Sequence, residues 1–218
     1  MMSARFADRA DGGRQLARKL DAYRDRPDVI VLGLPRGGVP VAYEVATFLR
    51  VPLDVFIVRK LGVPGYAELA MGAIASGGVR VLNEDVLKAL PNAQTLIDTV
   101  SKKEEREIER RENFYRRGRP APDFRGLTVI AVDDGLATGA TMRAAVAALR
   151  QRGVEKIVVA VPGGSTEACQ ALAAVADEIV RAVEVDGFTA VGELYNNFSQ
   201  TSDEEVTALL DAAAQSRD

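Results

Sequence analysis

The chain has 218 residues, of which 47% are hydrophobic and 27% are charged, as is ordinary for a globular protein with a sizeable core. Its 28 basic and 31 acidic side chains give a formal net charge of −3, which excludes a global field that attracts nucleic acid or anionic lipid. One cysteine and no histidine exclude an intramolecular disulfide, a Ser-His triad and a histidine-ligated metal.

The length and the hydropathy pattern predict a single domain in the cytoplasm. Single α/β domains reach about 250 residues, and no apolar run approaches the roughly 18 residues of a membrane span. The first ten residues, MMSARFADRA, lack the apolar segment of a signal peptide. We therefore expect one domain over residues 1–218, without membrane or nucleic-acid partners.

The first quarter of the chain predicts a helix and then a strand–loop–helix unit. Asp11 is placed to cap the first helix, and its buried stripe follows at helical spacing. Residues 29–34 form an apolar run of strand length, and a helix follows from near Pro40 to about Leu49. The stripe consists of Leu16, Leu20 and Tyr23.

The same alternation of strands and helices continues along the chain. Further strands are predicted over residues 53–58, 128–132, 156–161 and 179–183, and helices over residues 141–152 and 165–174. Apolar strands separated by helices indicate a parallel sheet that is covered on both faces. We expect an α/β fold with a doubly wound, mainly parallel sheet and a core over about residues 29–183.

Residues 62–122 interrupt this alternation and are expected to form a lid-like insertion. They include a short predicted strand at residues 79–82 and a charged stretch at residues 101–117, where i,i+4 ion pairs predict a solvated helix. A second interpretation, in which the basic end contacts phosphate or RNA, stays open. That end consists of Arg116, Arg117 and Arg119.

Residues 184–218 are expected to form a small hood and a terminal helix, which Ser202 and Glu205 open as a capping box. Three aromatic residues precede that helix and are either core residues or a platform for a base. They are Phe188, Tyr195 and Phe198. Upstream, the sequence GGST at residues 163–166 is either a helix N-cap or a second anion-binding loop.

Residues 129–142, VIAVDDGLATGATM, join an apolar strand to two adjacent acids and a Gly and Thr loop that opens into a helix. Amides at such a helix start bind phosphate well. The carboxylates of Asp133 and Asp134 can accept hydrogen bonds from a vicinal diol, and Gly139 permits positive φ. The stretch therefore predicts a pocket for a phosphorylated ribose.

The same stretch resembles the signature of the type I phosphoribosyltransferases, which use 5-phosphoribosyl 1-diphosphate. The resemblance implies that Asp133 and Asp134 hold the ribose hydroxyls and serve as metal partners of Mg²⁺, mostly through water. It also implies a loop that binds the 5-phosphate. That loop consists of Ala137, Thr138, Gly139, Ala140 and Thr141.

Two further segments stand where this family binds diphosphate. In the sequence LPRGG, the amides of Gly37 and Gly38 and the guanidinium of Arg36 are implied to receive the leaving group. Arg59 and Lys60 end the predicted second strand, and Lys60 is expected to hold the same diphosphate. The alternatives that involve no ligand are a purely structural turn for residues 34–38 and a solvated strand end for Arg59 and Lys60.

The resemblance implies a Mg²⁺-dependent transferase that moves a 5-phosphoribosyl group from 5-phosphoribosyl 1-diphosphate to a small nitrogenous acceptor, such as a nucleobase, and releases pyrophosphate. The expected catalytic residues are Asp133, Asp134, Lys60 and Arg36. A homodimer is expected from the same resemblance. The tail FTAVGELYNNFSQTSDEEV is similar to a bacterial subgroup whose acceptor is unassigned. A non-catalytic sensor of phosphoribosyl diphosphate or a nucleotide is the alternative.

Overall fold

A computed structural model describes residues 5–184 and 190–216, except for the side chains of residues 67 and 68. The strands in chain order are β1 (Val29–Gly33), β2 (Leu53–Val55), β3 (Val58–Val63), β4 (Tyr66–Ala75), β5 (Val79–Leu82), β6 (Thr128–Val132), β7 (Lys156–Val161) and β8 (Glu178–Arg181). The helices are α1 (Arg9–Lys19), α2 (Gly38–Leu49), α3 (Glu84–Lys88), α4 (Ala93–Arg116), α5 (Ala140–Gln151), α6 (Thr166–Ala173) and α7 (Asp203–Gln215). Phe188, one of the predicted hood aromatics, lies outside the described residues.

The central sheet has five parallel strands in the order β2-β1-β6-β7-β8. Every residue of β1 and β6 is buried, as expected for strands that are covered on both faces. The strands at residues 128–132 and 156–161 have the predicted bounds. Because β1 and β6 are neighbours, the loops that leave their carboxyl ends lie side by side.

Helices cover both faces of this sheet, so the predicted doubly wound fold is confirmed. Helices α5 and α6 pack on one face, and α1 and α2 pack on the other. The predicted stripe of Leu16, Leu20 and Tyr23 is buried there. The expected cap of α1 is wrong by three residues, because Asp8 accepts a hydrogen bond from the Asp11 N–H at 2.8 Å.

The predicted strand at residues 53–58 is wrong, because β2 ends at Val55 and the chain leaves the central sheet. The Ile57 amide donates to the Ser76 hydroxyl at 2.9 Å, and the Ser76 amide donates to the Ile57 carbonyl at 2.8 Å. These bonds start a separate antiparallel sheet in the order β3-β4-β5. Arg59 and Lys60 therefore lie within β3 and do not end a central strand.

The insertion packs on the domain through α4. The i,i+4 ion pairs expected in this helix form between Glu107 and Arg111 and between Glu112 and Arg116, but one face of the helix is buried. Its inward face carries charged as well as apolar groups. Arg116, expected to be exposed, is buried and donates to both Asp54 oxygens at 3.0–3.1 Å. Arg117 and Arg119 pair with Asp211 on α7, so the structure uses all three basic residues in ion pairs.

The C-terminal part divides into two structural pieces. Residues 190–198 lie over the loops of the central sheet, where the Phe6 amide donates to the Leu194 carbonyl at 2.8 Å. Helix α7 packs elsewhere, against α2 and α4, and buries Val206 and Leu210. Ser202 accepts from the Glu205 amide at 3.1 Å, as the capping prediction requires. Among the described residues, no helix is long and apolar enough to span a membrane.

Candidate functional site

Asp133 and Asp134 follow directly after β6, at the carboxyl edge of the sheet. The Asp134 amide donates to Asp133 Oδ1 at 2.9 Å, which turns the chain sharply at this point. Burial and then the neighbouring Asp134 charge raise the pKa of Asp133 above its ordinary value. Two adjacent carboxylates therefore face one corner, and a cation or a hydroxyl donor is needed to keep both charged.

The structure supplies that cation from Arg9, a residue that the sequence did not indicate. Arg9 Nε donates to Asp134 Oδ2 at 2.8 Å, and both side chains are nearly buried, with 12% and 14% of their areas exposed. Arg9 Nη1 donates to the Ser199 carbonyl at 2.6 Å. The guanidinium carbon also lies 4.0 Å from the Phe198 ring centre. The first residue of α1 thus joins the acidic pair to the C-terminal segment.

The predicted phosphate loop forms the start of α5. Gly139 is the N-cap, with a left-handed φ of 68°, and it has no side chain to cap the helix. Thr138 Oγ1 accepts weakly from the Ala140 amide at 3.4 Å. Within the part of the chain that the structure describes, the amides of Thr141 and Met142 have no acceptor. Free amides at an exposed helix start are what an anion requires.

The loop after β7 braces the phosphate loop from the side. The Leu136 amide donates to the Gly163 carbonyl at 3.1 Å, and the Ser165 amide donates to the Leu136 carbonyl at 2.8 Å. Ser165 Oγ also donates to the Ala137 carbonyl at 2.9 Å and accepts from the Ala168 amide at 3.1 Å. The N-cap interpretation of residues 163–166 is confirmed. The hydrogen bonds with residues 163–165 hold the predicted phosphate loop in place without a ligand.

The loop after β1 lies directly against the two carboxylates. A Cβ at Gly38 would lie 2.7 Å from the Val132 carbonyl oxygen and 2.9 Å from the Asp133 Cα, and a Cβ at Gly37 would collide with the Asp134 carboxylate. Glycine is therefore required at position 38, where the clash is with backbone, whereas a side chain at position 37 would displace the Asp134 carboxylate. The Pro35-Arg36 peptide bond is cis.

The two glycines differ in their backbone amides. The Gly38 amide donates to the Leu34 carbonyl at 3.1 Å, so it is not free for a ligand as the sequence had suggested. Within the described residues, the amides of Arg36 and Gly37 have no acceptor. The free amides of this loop therefore belong to residues 36 and 37, and Gly38 provides the contact with β6.

Arg36 and Lys60, which were predicted to act together, face different surroundings. Arg36 lies near the buried hydroxyl of Tyr115 on α4 and lowers the pKa of that phenol, against the larger raising effects of burial and Asp203. Lys60 lies opposite Ala73 in the antiparallel sheet. It lines a groove of about 460 Å³ between that sheet and α5, together with Thr141 and Arg143. Lys60 therefore lies in the groove beside residues 137–141, the predicted phosphate loop.

The described hood aromatics pack on the protein itself. The Tyr195 hydroxyl donates to the Asp134 carbonyl at 2.6 Å, and the Tyr195 ring is stacked on Phe198 at 5.4 Å. Burial raises the pKa of the Tyr195 phenol. Tyr195 therefore acts as core and as a brace for Asp134, whereas Phe198 keeps 41% of its surface exposed.

A model of the phosphoribosyl transferase domain matches residues 65–185, more than half of the chain. The chain belongs to this family. The matched part of the phosphoribosyl transferase domain includes both carboxylates and the phosphate loop at residues 137–141, whereas the Arg36–Gly38 loop and Lys60 precede it. The family resemblance noted from the sequence is thereby confirmed.

Relatives agree with this family membership. Two curated proteins from Mycobacterium tuberculosis, strains CDC 1551 / Oshkosh and H37Rv, are 50% identical over 208 residues and carry the provisional name phosphoribosyl transferase. The match covers 95% of this chain and 47% of each relative, so the chain spans about half the length of the curated relatives it matches.

Solved structures agree as well. The crystal structure of the TT1426 protein from Thermus thermophilus is 42% identical, has a TM-score of 0.83, and is matched over 95% of this chain and 98% of that chain. The AQ2163 protein from Aquifex aeolicus has a TM-score of 0.50 at 10% identity, over 86% and 83% of the two chains, and is similar in fold alone.

The donor set at the acidic pair suits Mg²⁺ that is held largely by water and ligand. Within the described residues, no group of three or more histidine, cysteine, aspartate or glutamate side chains could hold a metal. Mg²⁺ commonly uses one or two carboxylates together with substrate phosphates. Asp133 and Asp134 fit that pattern, since Asp134 Oδ1 and Asp133 Oδ2 have no hydrogen-bond donor among the described residues.

Proposed function

We propose that the protein transfers the 5-phosphoribosyl group from 5-phosphoribosyl 1-diphosphate to a nitrogen acceptor, most simply a nucleobase, with release of pyrophosphate. One observation carries the proposal: the Arg36–Gly38 loop touches the two carboxylates after β6, next to a helix start with free amides. Two anion-binding loops on either side of a diol-binding acidic pair match a sugar with phosphate at one end and diphosphate at the other.

Each end of the ligand has its own partners in this proposal. The 5-phosphate binds the loop at residues 137–141, where the Thr141 amide is free. The ribose hydroxyls donate to Asp133 and Asp134. The diphosphate binds the free amides of the Arg36–Gly38 loop and the Arg36 guanidinium, and Lys60 adds positive charge from the groove beside Thr141.

The reaction is a substitution at the anomeric carbon. The acceptor nitrogen forms a bond to that carbon as the carbon–oxygen bond to the diphosphate breaks, and the electron pair leaves with pyrophosphate. The acceptor proton passes to solvent, to the leaving group or to a carboxylate, since the chain has no histidine to accept it. Bound Mg²⁺ would neutralise negative charge on the diphosphate. The protein's own contribution is positioning and electrostatic stabilisation of an oxocarbenium-like transition state.

The test is an acceptor panel. Purified protein is incubated with Mg²⁺, 5-phosphoribosyl 1-diphosphate and single purines, pyrimidines or amines, and pyrophosphate release is measured. The control is Asp134→Asn in parallel, which we expect to be inactive. Release that depends on one acceptor supports the proposal. Saturable binding of phosphoribosyl diphosphate without release for any acceptor would contradict transfer and favour a non-catalytic sensor.

One observation gives that sensor function a specific basis. Tyr195 is committed to Asp134 and to Phe6, and Phe198 packs on Arg9 and Tyr195. These rings are therefore engaged before any base arrives. A regulator needs only the two anion sites and the acidic pair, and it needs no free aromatic ring to bind a base.

A further inference from the structure

The Arg9 guanidinium has hydrogen-bonding capacity that its contacts with the described residues do not fully use. Its Nε and Nη1 atoms donate to Asp134 and to the Ser199 carbonyl. Among the described residues, Nη2 has no hydrogen-bond acceptor. A guanidinium presents its donors in a rigid planar fork. Because Nε and Nη1 are already held by the protein, Nη2 is fixed in place before an anion binds to it.

The guanidinium also lies against the loop after β1. A Cβ at Gly37 would be 3.2 Å from Arg9 Nε and would collide with Asp134 Oδ2. Gly37, Asp134 and Arg9 therefore meet at one point. The Gly37 backbone, whose amide has no acceptor among the described residues, therefore lies beside both a carboxylate and a guanidinium.

Such an anion needs a cation between itself and Asp134, because like charges at this separation repel strongly in a partly buried site. Arg36 belongs to the loop itself, but within the described part of the chain it forms no ion pair with Asp134. Lys60 lines the separate groove beside Thr141. Of the three cations, Arg9 is the one in contact with both the carboxylate and the loop.

We infer that Arg9 is a further substrate-binding residue, which contacts the diphosphate end of the ligand while it holds Asp134. This inference rests on the proposed function, because it assumes that a diphosphate binds the Arg36–Gly38 loop. Arg9 then reduces the repulsion between the leaving group and the acid that holds the ribose. The residue comes from the N-terminal helix, outside the matched family region that begins at residue 65.

The experiment measures the affinity of two ligands separately, by calorimetry in the presence of Mg²⁺. Inorganic pyrophosphate reports on the diphosphate end, and ribose 5-phosphate reports on the sugar and its phosphate. The variants are Arg9→Gln, which removes the charge, and Arg9→Lys, which keeps it. Arg14→Gln is the matched control, because Arg14 lies on the same helix, is half-exposed and, among the described residues, pairs with Asp11 and Glu44 on the helices.

We expect Arg9→Gln to weaken pyrophosphate binding about tenfold or more, as for a lost charged hydrogen bond. Arg9→Lys should weaken pyrophosphate binding less than Arg9→Gln does, since the charge remains although the planar fork of donors is lost. Arg14→Gln should leave both affinities unchanged. Ribose 5-phosphate should be affected much less than pyrophosphate by every variant.

Two results would overturn the inference while the proposed function stands. One is unchanged pyrophosphate affinity in Arg9→Gln. The other is a loss confined to ribose 5-phosphate, or equal for the two ligands, which would mean that Arg9 only positions Asp134 or the hood. If the original protein binds neither ligand, the proposed function fails first, and the inference fails with it.

Discussion

The loop after β6 and the groove around Lys60 both offer positive or anion-binding groups, but they differ in how firmly they are held. The acidic pair is fixed by Arg9, by the Tyr195 hydroxyl and by the packing of Gly37 and Gly38. In the groove, Lys60 and Arg143 are exposed, and neither forms an ion pair within the described part of the chain.

This difference indicates two kinds of binding region. The braced corner is already organised for a ligand, so its contribution to affinity carries little ordering cost. The side chains in the groove lose conformational freedom only when an anion arrives. Substitutions should therefore have larger and more specific effects at the corner than in the groove.

The largest effect is expected for Asp134→Asn. The amide cannot accept like a carboxylate, so binding of 5-phosphoribosyl 1-diphosphate should weaken by about 100-fold. Its nearly buried partner Arg9 would also lose its charge pair, which should lower the free energy of unfolding by about 1–3 kcal/mol. Calorimetry and urea unfolding measure the two effects. Asp123→Asn, which breaks an exposed pair, is the control and should change neither.

Gly139→Ala should show that the phosphate loop needs its left-handed residue. At a φ of 68°, a Cβ costs about 1–2 kcal/mol and shifts the loop amides, so ribose 5-phosphate affinity should fall about tenfold. Gly118→Ala is the matched control, since Gly118 has a φ of 84° and open space around it. Equal loss of affinity in both variants would show that general instability, and not the loop, is responsible.

Lys60→Gln should have a smaller effect. An exposed cation contributes through a screened interaction, so affinity for 5-phosphoribosyl 1-diphosphate should fall only about three- to fivefold, and less at high salt. Stability should not change. Titrations at low and high salt measure this, with Lys103→Gln on α4 as the control. A loss as large as that of Asp134→Asn would contradict the distinction between the two regions.

The smallest effect concerns α4, the helix that supports the sheet carrying Lys60. Arg110 and Arg111 lower the pKa of Glu107 from 4.5 to about 2. The stabilisation of the folded protein by ionised Glu107 is therefore complete above about pH 5 and is lost as pH falls towards about 2. The difference in melting temperature between the original protein and Glu107→Gln should shrink over that range. Ligand affinity at neutral pH should be the same in both, and a difference would link α4 to the site.

Much of the central sheet could be predicted from the sequence, because each strand is a continuous apolar run between turn residues. The acidic pair could be predicted as well, since Asp133, Asp134 and Gly139 are close together in the chain. The end of β2 could not, because Phe56 and Ile57 are apolar and buried like strand residues, and the bonds from Ile57 to Ser76 join distant parts of the sequence.

The contacts that hold the acidic pair could not be predicted from the sequence either. Arg9 and Asp134 are 125 residues apart, and Tyr195 is 61 residues from Asp134. Arg116 looks like part of a solvated basic stretch in the sequence, but it is buried because Asp54 and Glu112 both pair with it. Local patterns predict elements and loops, whereas partners across the fold require the tertiary structure.

Phe6 bonds through its backbone to Leu194 and Asn196, so the start of the chain is tied to the segment above the loops. Shortening the chain by seven residues would delete these bonds and leave Arg9 near a frayed end. Truncating or tagging the protein at this position would therefore disturb the acidic pair, although it changes neither Asp133 nor Asp134. Protease sensitivity near residue 6 is therefore a simple check on whether these backbone bonds are intact.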